Sequence, residues 1–179
     1  MLIYNRYNSP RARSADRVVL APGFMRRQER LAGLALALAE AGVTTLTLDF
    51  CAAPLRAGNP LRHGLDMMRL ARAEGAGRVV YVGFSAGALA ALLAGRNDPR
   101  AVGVVALDLV DAEGLGVRAA AGLAPPLVGL VGAPSRCNLR NNGLAVYAAA
   151  RHAEVLRFGG ADHCDFESDP DWLCPRLCA

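Results

Sequence analysis

The sequence feature that most constrains the fold is the run Gly-Phe-Ser-Ala-Gly at 83–87, which lies between an apolar run at 78–82 and an alanine-rich run at 88–94. The apolar run predicts a buried strand, and the alanine-rich run predicts a helix. A strand, a sharp turn and a helix therefore meet at Ser85. In such a turn the flanking glycines remove side chains that would collide, and the serine hydroxyl is lifted above the sheet. The pattern predicts a nucleophile elbow with Ser85 as the nucleophile.

Two candidate partners for Ser85 lie at the ends of later predicted strands. Asp108 follows the apolar run at 102–107, and His163 follows the run at 155–158. Because the carboxyl ends of parallel strands meet at one edge of an open sheet, we expect the three side chains to converge there. Serine, acid and histidine also stand in the chain order that hydrolases with this type of sheet use.

Each assignment has an alternative. Ser85 could be a small residue at a tight strand–helix junction, and Asp108 could cap the following helix, since aspartate is common at helix starts. Asp111 is the rival for the acid role. The other two histidines, His63 and His152, are interpreted as surface residues.

The chemistry of such a triad explains why these residue types are needed. A serine hydroxyl becomes a good nucleophile only when an imidazole accepts its proton, and a carboxylate then orients and stabilises the imidazole. The oxyanion formed on the attacked carbonyl needs two N–H donors. We expect the backbone N–H groups of Ala86 and Phe24 to supply them, with Met25 as the close alternative to Phe24. Phe24, Met25 and Leu109 are candidates for the apolar lining of the substrate site, although each could equally be a core residue.

Two loops give the chain a family resemblance. The Ala-Pro-Gly-Phe loop at 21–24 resembles the oxyanion loop of bacterial polyester hydrolases, and the Leu-Asp-Leu-Val-Asp segment at 107–111 resembles the acid-bearing segment of chlorophyllases and pancreatic-type lipases. From about Val18 to His163 the chain resembles the α/β-hydrolase superfamily, in particular its small chlorophyllase, dienelactone-hydrolase and cutinase-like esterases. The resemblance implies a core sheet in the order 2-1-3-4-5-6 and cleavage of carboxylic esters through an acyl-enzyme.

The chain departs from that family pattern in two places. Cutinase-like enzymes usually carry the acid one strand later, but the segment 133–137 contains no carboxylate, which favours Asp108. The family's first two strands also have no counterpart in the polar, arginine-rich residues 1–17, which we expect to be irregular.

The rest of the chain alternates apolar and helix-forming segments. Continuous apolar strands separated by helices indicate a parallel sheet covered on both faces. We therefore predict one domain over 1–179 with an α/β fold, a three-layer α/β/α sandwich around a mainly parallel, doubly wound sheet. The short segments between the triad candidates leave no room for a lid, and the stretch 112–126 is a short helix or a loop. Strands are predicted at 18–21, 43–48, 79–82, 102–107, 127–131 and 155–158, with helices near 28–41, 61–74, 85–95, 143–151 and 171–178.

The five cysteines bear on the compartment. Cys137 and Cys164 both follow strand ends and are candidates for a disulfide that would brace the histidine loop. Cys174 and Cys178 can share one face of a helix, and an odd count leaves at least one thiol unpaired in a monomer. Disulfides favour an exported protein, whereas the absence of an apolar signal-peptide core favours the cytoplasm, so the compartment stays open.

Charge and composition limit the partners. The formal net charge of +4 is spread along the chain, and all 20 basic residues are arginine. The one tight group, Arg26, Arg27 and Arg30, indicates a solvated helix start rather than a nucleic-acid site. No histidine pair has metal-ligand spacing, and no segment is apolar enough to span a bilayer. We expect a small-molecule ester as substrate and a monomer, with no metal, organic cofactor, nucleic acid or membrane span.

The sequence thus predicts a serine esterase, a carboxylic ester hydrolase. Thioester cleavage and acyl transfer use the same triad and remain alternatives. A ligand-binding protein that keeps the scaffold with little turnover is a further alternative, because a shortened sheet would hold the triad less accurately. A cysteine-dependent redox protein is less well supported, since no Cys-x-x-Cys occurs.

Overall fold

The computed structural model of the chain describes residues 2–12, 14–50, 59–169 and 172–178. These residues form seven strands, six α-helices and two short 3-10 helices, Gln28–Leu31 and His163–Phe166. The strands are β1 (Ile3–Tyr7), β2 (Arg17–Ala21), β3 (Thr44–Asp49), β4 (Val79–Phe84), β5 (Ala101–Leu107), β6 (Leu127–Val131) and β7 (Ala153–Arg157). The helices are α1 (Ala32–Glu40), α2 (Pro60–Ala73), α3 (Ala86–Asn97), α4 (Leu115–Ala120), α5 (Leu144–Ala149) and α6 (Leu173–Cys178).

The strands form one sheet in the order β1-β3-β2-β4-β5-β6-β7. All neighbours are parallel except β1, which pairs with β3 in the antiparallel direction at the edge. Without β1 the order is 2-1-3-4-5-6, as predicted. A mainly parallel sheet needs helices on both faces, and the chain supplies them.

Side chains of one strand show how the two faces are covered. Val18 and Leu20 of β2 belong to an apolar cluster with α1, whereas Val19 and Ala21 belong to the larger cluster with α2 and α3. Successive side chains of a strand point to opposite faces, so each face has its own layer of helices. The result is the predicted three-layer α/β/α sandwich. Helix α3 is buried from Gly87 to Gly95, which fixes the residue at its start, Ser85, against the centre of the sheet.

The prediction that residues 1–17 are irregular was wrong. Ile3–Tyr7 forms β1, in register from Ile3 opposite Asp49 to Tyr7 opposite Thr45. An edge strand that is mostly exposed is defined by backbone pairing rather than by burial, so its polar sequence gave no apolar signal. Tyr4 Oη and Arg6 Nη1 also donate hydrogen bonds to Glu74, at 2.7 and 2.8 Å. Residues 1–17 therefore contain a strand that the sequence did not predict.

The predicted helices occur with shifted ends. The segment 112–126 contains α4, and α5 ends at Ala149, so His152 lies beyond the helix in an exposed bend. Residue 171, at which the last predicted helix began, lies outside the described residues. In the described part of the chain, every helix is too short or too polar to cross a bilayer.

The predicted disulfide between Cys137 and Cys164 was also wrong. The pairs are Cys137–Cys178 and Cys164–Cys174. Cys174 and Cys178 are one helical turn apart, so both sulfurs lie on the face of α6 that packs against the 3-10 helix containing Cys164. Cys51 lies outside the described residues.

Candidate active site

Ser85 occupies a sharp turn between β4 and α3. Its φ of 54° lies in the left-handed region, which non-glycine residues rarely adopt. A Cβ at Gly83 would lie 2.1 Å from the carbonyl oxygen of Gly87, and a Cβ at Gly87 would lie 2.3 Å from that of Pro22. Only glycine fits at these two positions, which explains why the sequence folds into this turn. The backbone N–H of Ser85 donates to Leu107 O at 2.9 Å and ties the turn to β5.

The structure brings Ser85, His163 and Asp108 together. Nε2 of His163 lies 3.1 Å from Oγ of Ser85, and Nδ1 of His163 lies 2.6 Å from Oδ2 of Asp108. All three side chains are buried, and the ring of Phe84 packs against the imidazole at a centroid distance of 4.6 Å. These contacts form one hydrogen-bonded line from carboxylate to hydroxyl.

The carboxylate of Asp108 has two further donors. Oδ1 accepts the backbone N–H of Gly132 at 3.0 Å, and Oδ2 accepts Nδ2 of Asn138 at 3.0 Å. The second donor was missed by the sequence reasoning, which looked for acids and bases only. The sequence held one indication of this donor: Asn138 lies in the loop after β6, and β6 is the neighbour of β5, which Asp108 follows.

Asp111, the rival for the acid role, has a different environment. Its Oδ1 accepts the backbone N–H of Gly116 at 2.6 Å, at the start of α4. Its own backbone N–H and carbonyl bond to the side-chain amide of Asn142, at 3.0 and 2.8 Å. The Asp111 carboxylate thus holds the first turn of α4, and Asp108 is the carboxylate that contacts His163.

The residues predicted to donate to the oxyanion, Phe24 and Ala86, line the same cleft as Ser85. Ala86 is the first residue of α3, and N–H groups in the first turn of a helix have no acceptor within the helix. Phe24 and Met25 lie in the loop after β2, in a turn closed by the N–H of Arg26, which donates to Gly23 O at 3.1 Å. Their side chains are 53% and 74% exposed, at the mouth of a cleft above Ser85.

Buried Gln28 holds this loop in place. Its backbone N–H and Nε2 donate to the carboxylate of Asp49 at 2.8 and 3.4 Å, and its Oε1 accepts the hydroxyl of Thr47 at 2.9 Å. These bonds fix the loop to β3, so its position does not depend on the exposed side chains.

The cleft above Ser85 has a volume of about 700 Å³. Leu109, which we expected in its lining, is instead 2% exposed and packs in the core, where its Cδ2 lies 3.1 Å from a Cβ built at Gly143. The neighbouring residue, Val110, lines the cleft. Asp108 has a φ of 44°, so the backbone turns there and the side chain that reaches the cleft is one position later than expected. Among the described residues, the apolar lining consists of Pro22, Phe24, Met25, Phe50, Pro60, Ala86, Leu89, Val110, Ala112 and Leu139.

One histidine was wrongly interpreted as a surface residue. His63 is half-buried, lines the cleft, and stacks on Phe50 with ring centroids 3.9 Å apart. Burial lowers the pKa of His63 below its usual value; the charge of Asp66 opposes this shift and that of Arg62 adds to it. His63 is therefore a titratable residue of the cleft lining, in addition to the imidazole of His163 that contacts Ser85.

The described residues contain one cluster with the side chains of a metal site. The sulfurs of Cys164, Cys174 and Cys178 lie within 4.8 Å of one another, but all three belong to the disulfides given above. All three are buried, and Cys164 directly follows His163 in the chain.

Comparison with known proteins supports the fold. No protein-family model matches the chain, and no curated protein matches it. Among solved structures, it is similar to one described as "Est816 as an N-Acyl homoserine lactone degrading enzyme", with a TM-score of 0.72 and 13% sequence identity over 90% of each chain. At this identity the likeness shows a shared α/β fold.

Proposed function

We propose that this protein is a serine hydrolase of the α/β-hydrolase type that cleaves carboxylic esters through an acyl-enzyme. The observation that carries the proposal is the continuous line of contacts from Asp108 through His163 to Oγ of Ser85, at 2.6 and 3.1 Å. Ser85 lies in a left-handed turn at the carboxyl end of a central strand, which is the position that a nucleophile elbow requires.

Acylation is the first half of the proposed reaction. Nε2 of His163 accepts the proton of Ser85 while Oγ attacks the ester carbonyl carbon, and the carboxylate of Asp108 stabilises the resulting imidazolium. The N–H groups of Ala86 and Phe24, or of Met25 in place of Phe24, donate to the oxyanion. His163 then gives its proton to the departing alcohol, and the acyl group stays on Ser85.

Deacylation uses the same residues with water as the nucleophile. His163 removes a proton from water, the hydroxide attacks the acyl carbonyl, and the carboxylic acid leaves as the proton returns to Oγ of Ser85. Each step moves a proton between side chains of this chain and the reactants. An alcohol or thiol in place of water, or a thioester in place of the ester, would give acyl transfer or thioester cleavage.

The lining of the cleft supports an ester with an apolar acyl part. Ten apolar residues of the described part of the chain line the cleft around Ser85, and in the same part Arg26 and His63 are the charged or titratable lining residues besides the catalytic candidates. Lactones are cyclic esters, and the structurally similar enzyme is described as degrading one, so a lactone belongs among the substrates to be tested.

The proposal is tested by labelling and turnover of the same protein. Wild type, Ser85→Ala and the control Ser14→Ala are incubated with a fluorophosphonate probe and with nitrophenyl esters of increasing acyl length, beside an N-acyl homoserine lactone. Ser14 is an exposed serine before β2, so its substitution should change nothing. We expect labelling to vanish in Ser85→Ala and turnover to fall by about 10⁴-fold or more. Folded wild-type protein that is neither labelled nor active would contradict the proposal, and binding of apolar ligands by such a protein would favour a binding role.

A further inference from the structure

Two disulfides lie in contact with each other beside the candidate site. The sulfur of Cys178 lies 3.6 Å from that of Cys164 and 3.9 Å from that of Cys174, although its own bond is to Cys137. Each of the two disulfides therefore lies next to a sulfur of the other disulfide. Cys137, Cys164, Cys174 and Cys178 together form a sulfur cluster.

The sulfur cluster connects two segments that hold the triad. Cys164 directly follows His163, and Cys137 directly precedes Asn138, which donates to the carboxylate of Asp108. Both disulfides end on the short helix α6. The cluster thus ties the imidazole and the support of the carboxylate to one element.

Access to the four sulfurs is unequal. Cys164, Cys174 and Cys178 are 1%, 4% and 3% exposed, whereas Cys137 is only half-buried and lines the cleft. Because thiol–disulfide exchange requires a thiolate to reach a sulfur, a small reagent in the cleft meets Cys137 first.

We propose that the sulfur cluster is a redox modification site. A small dithiol in the cleft reduces the Cys137–Cys178 disulfide, and the freed Cys178 then exchanges with the Cys164–Cys174 disulfide. The thiolate of the dithiol attacks Sγ of Cys137, and the electron pair of the broken bond leaves on Sγ of Cys178. The second thiol of the reagent then closes a cyclic disulfide and releases Cys137. The reagent loses two electrons and two protons, and the protein disulfide gains them as two thiols.

The second step is an exchange within the protein. Once released from Cys137, the thiolate of Cys178 rotates into line with the Cys164–Cys174 bond and attacks Sγ of Cys164, its nearer neighbour, so that a new Cys164–Cys178 bond replaces Cys164–Cys174. The electron pair of the old bond leaves on Cys174, which takes up a proton. One bond forms and one breaks, so this step needs no further reductant.

The exchange changes the attachment of the residue after His163. Cys164 is then bonded to a different turn of α6, and Cys137 is released from that helix altogether. Displacement of catalytic groups by about 1 Å costs about 10²-fold in rate, so we expect turnover to fall by tenfold to a hundredfold. This consequence rests on the proposed function, whereas the exchange itself does not.

The test maps thiols after limited reduction. All proteins carry Cys51→Ser, so that only the four cysteines of the sulfur cluster are counted. One equivalent of dithiothreitol is added, the reaction is stopped with acid, and free thiols are alkylated and located by mass spectrometry. Trypsin cleaves after Arg136, Arg140 and Arg176, which puts Cys137 and Cys178 on separate peptides, and fragmentation distinguishes Cys164 from Cys174.

The expected product carries alkylated Cys137 and Cys174, with Cys178 in a new bond to Cys164. Alkylation confined to Cys137 and Cys178 would overturn the proposal, because reduction would then have stopped at the Cys137–Cys178 disulfide without exchange. The map does not depend on turnover, so failure of the exchange and failure of the proposed esterase activity are distinguishable.

A double variant tests whether Cys178 is needed for the opening of the Cys164–Cys174 disulfide. In Cys137→Ser with Cys178→Ser the inner disulfide remains, but the sulfur that would attack it is gone. We expect dithiothreitol to reduce Cys164–Cys174 on the order of tenfold more slowly than in the parent protein. An equal rate of reduction would show that the reagent reaches the Cys164–Cys174 disulfide directly, and the proposed exchange through Cys178 would be wrong.

Discussion

The side-chain amide of Asn138 donates to Oδ2 of Asp108, the same carboxylate oxygen that contacts His163. Asn138 is fully buried, and the other polar contacts of its side chain are to the backbone: Nδ2 donates to Ala133 O at 2.8 Å, and Oδ1 accepts the N–H of Ser135 and Asn141 at 2.8 and 3.0 Å. The loop after β6 is therefore folded around this amide. In the proposed reaction, Asn138 is a positioning residue that acts only through the carboxylate of Asp108.

Substitution of Asn138 should slow the reaction without weakening substrate binding. In Asn138→Ala the carboxylate loses one of its donors and the loop loses its anchor, so we expect kcat to fall by about 10- to 100-fold while KM changes little. Loss of the buried hydrogen bonds should lower the free energy of unfolding by about 1–3 kcal/mol. The matched control is Asn142→Ala, which removes comparable bonds to the backbone of Asp111 but none to Asp108. Equal losses of kcat in the two variants would contradict a specific role of Asn138.

Substitutions at the neighbouring residues Leu109 and Val110 should affect different properties, the stability of the fold at Leu109 and the substrate specificity at Val110. Leu109 lies in the core and Val110 lines the cleft, so Leu109→Ala should cost about 2–5 kcal/mol in the free energy of unfolding. Val110→Ala should leave stability within about 1.5 kcal/mol and shift the preference among nitrophenyl esters toward longer acyl chains. Urea denaturation and kcat/KM for the ester series measure the two effects. A change of acyl preference in Leu109→Ala alone would mean that the cleft is lined differently.

Gly87 should not tolerate even one additional carbon. A Cβ there would lie 2.3 Å from Pro22 O and 2.5 Å from Ala21 O, so either the loop after β2 or α3 must move. We expect Gly87→Ala to destabilise the protein by about 1–3 kcal/mol or more and to reduce fluorophosphonate labelling. Gly77→Ala is the control, because a Cβ at Gly77 meets Ala15 Cβ at an ordinary distance of 3.4 Å. If Gly87→Ala is labelled and unfolds as the wild type does, the tight packing at the elbow is not required.

The sequence predicted the features that depend on local pattern. Apolar runs located six strands, and the strand–turn–helix pattern located Ser85 at its bend, because buried strands and glycine-lined turns leave clear signals. The features that depend on packing between distant segments could not be predicted from local sequence patterns. The disulfide pairs depend on where α6 packs, and β1 is defined by pairing with β3. That Val110 rather than Leu109 lines the cleft depends on the backbone conformation after β5, where Asp108 has a φ of 44°.

His63 should make the protein less stable in mild acid. Burial lowers its pKa in the folded state below the ordinary value of about 6.5, so between those two values the unfolded chain binds more protons than the folded chain. The contribution of His63 to the free energy of unfolding is therefore unchanged above about pH 6.5, falls as the pH drops, and is fully lost below the folded-state pKa. His63→Gln removes the titration, so the difference in unfolding free energy between variant and wild type should shift in favour of the variant between about pH 7.5 and 5. Urea denaturation of both proteins across this range measures the difference, and a constant difference would show that His63 titrates in the cleft as it does in the unfolded chain.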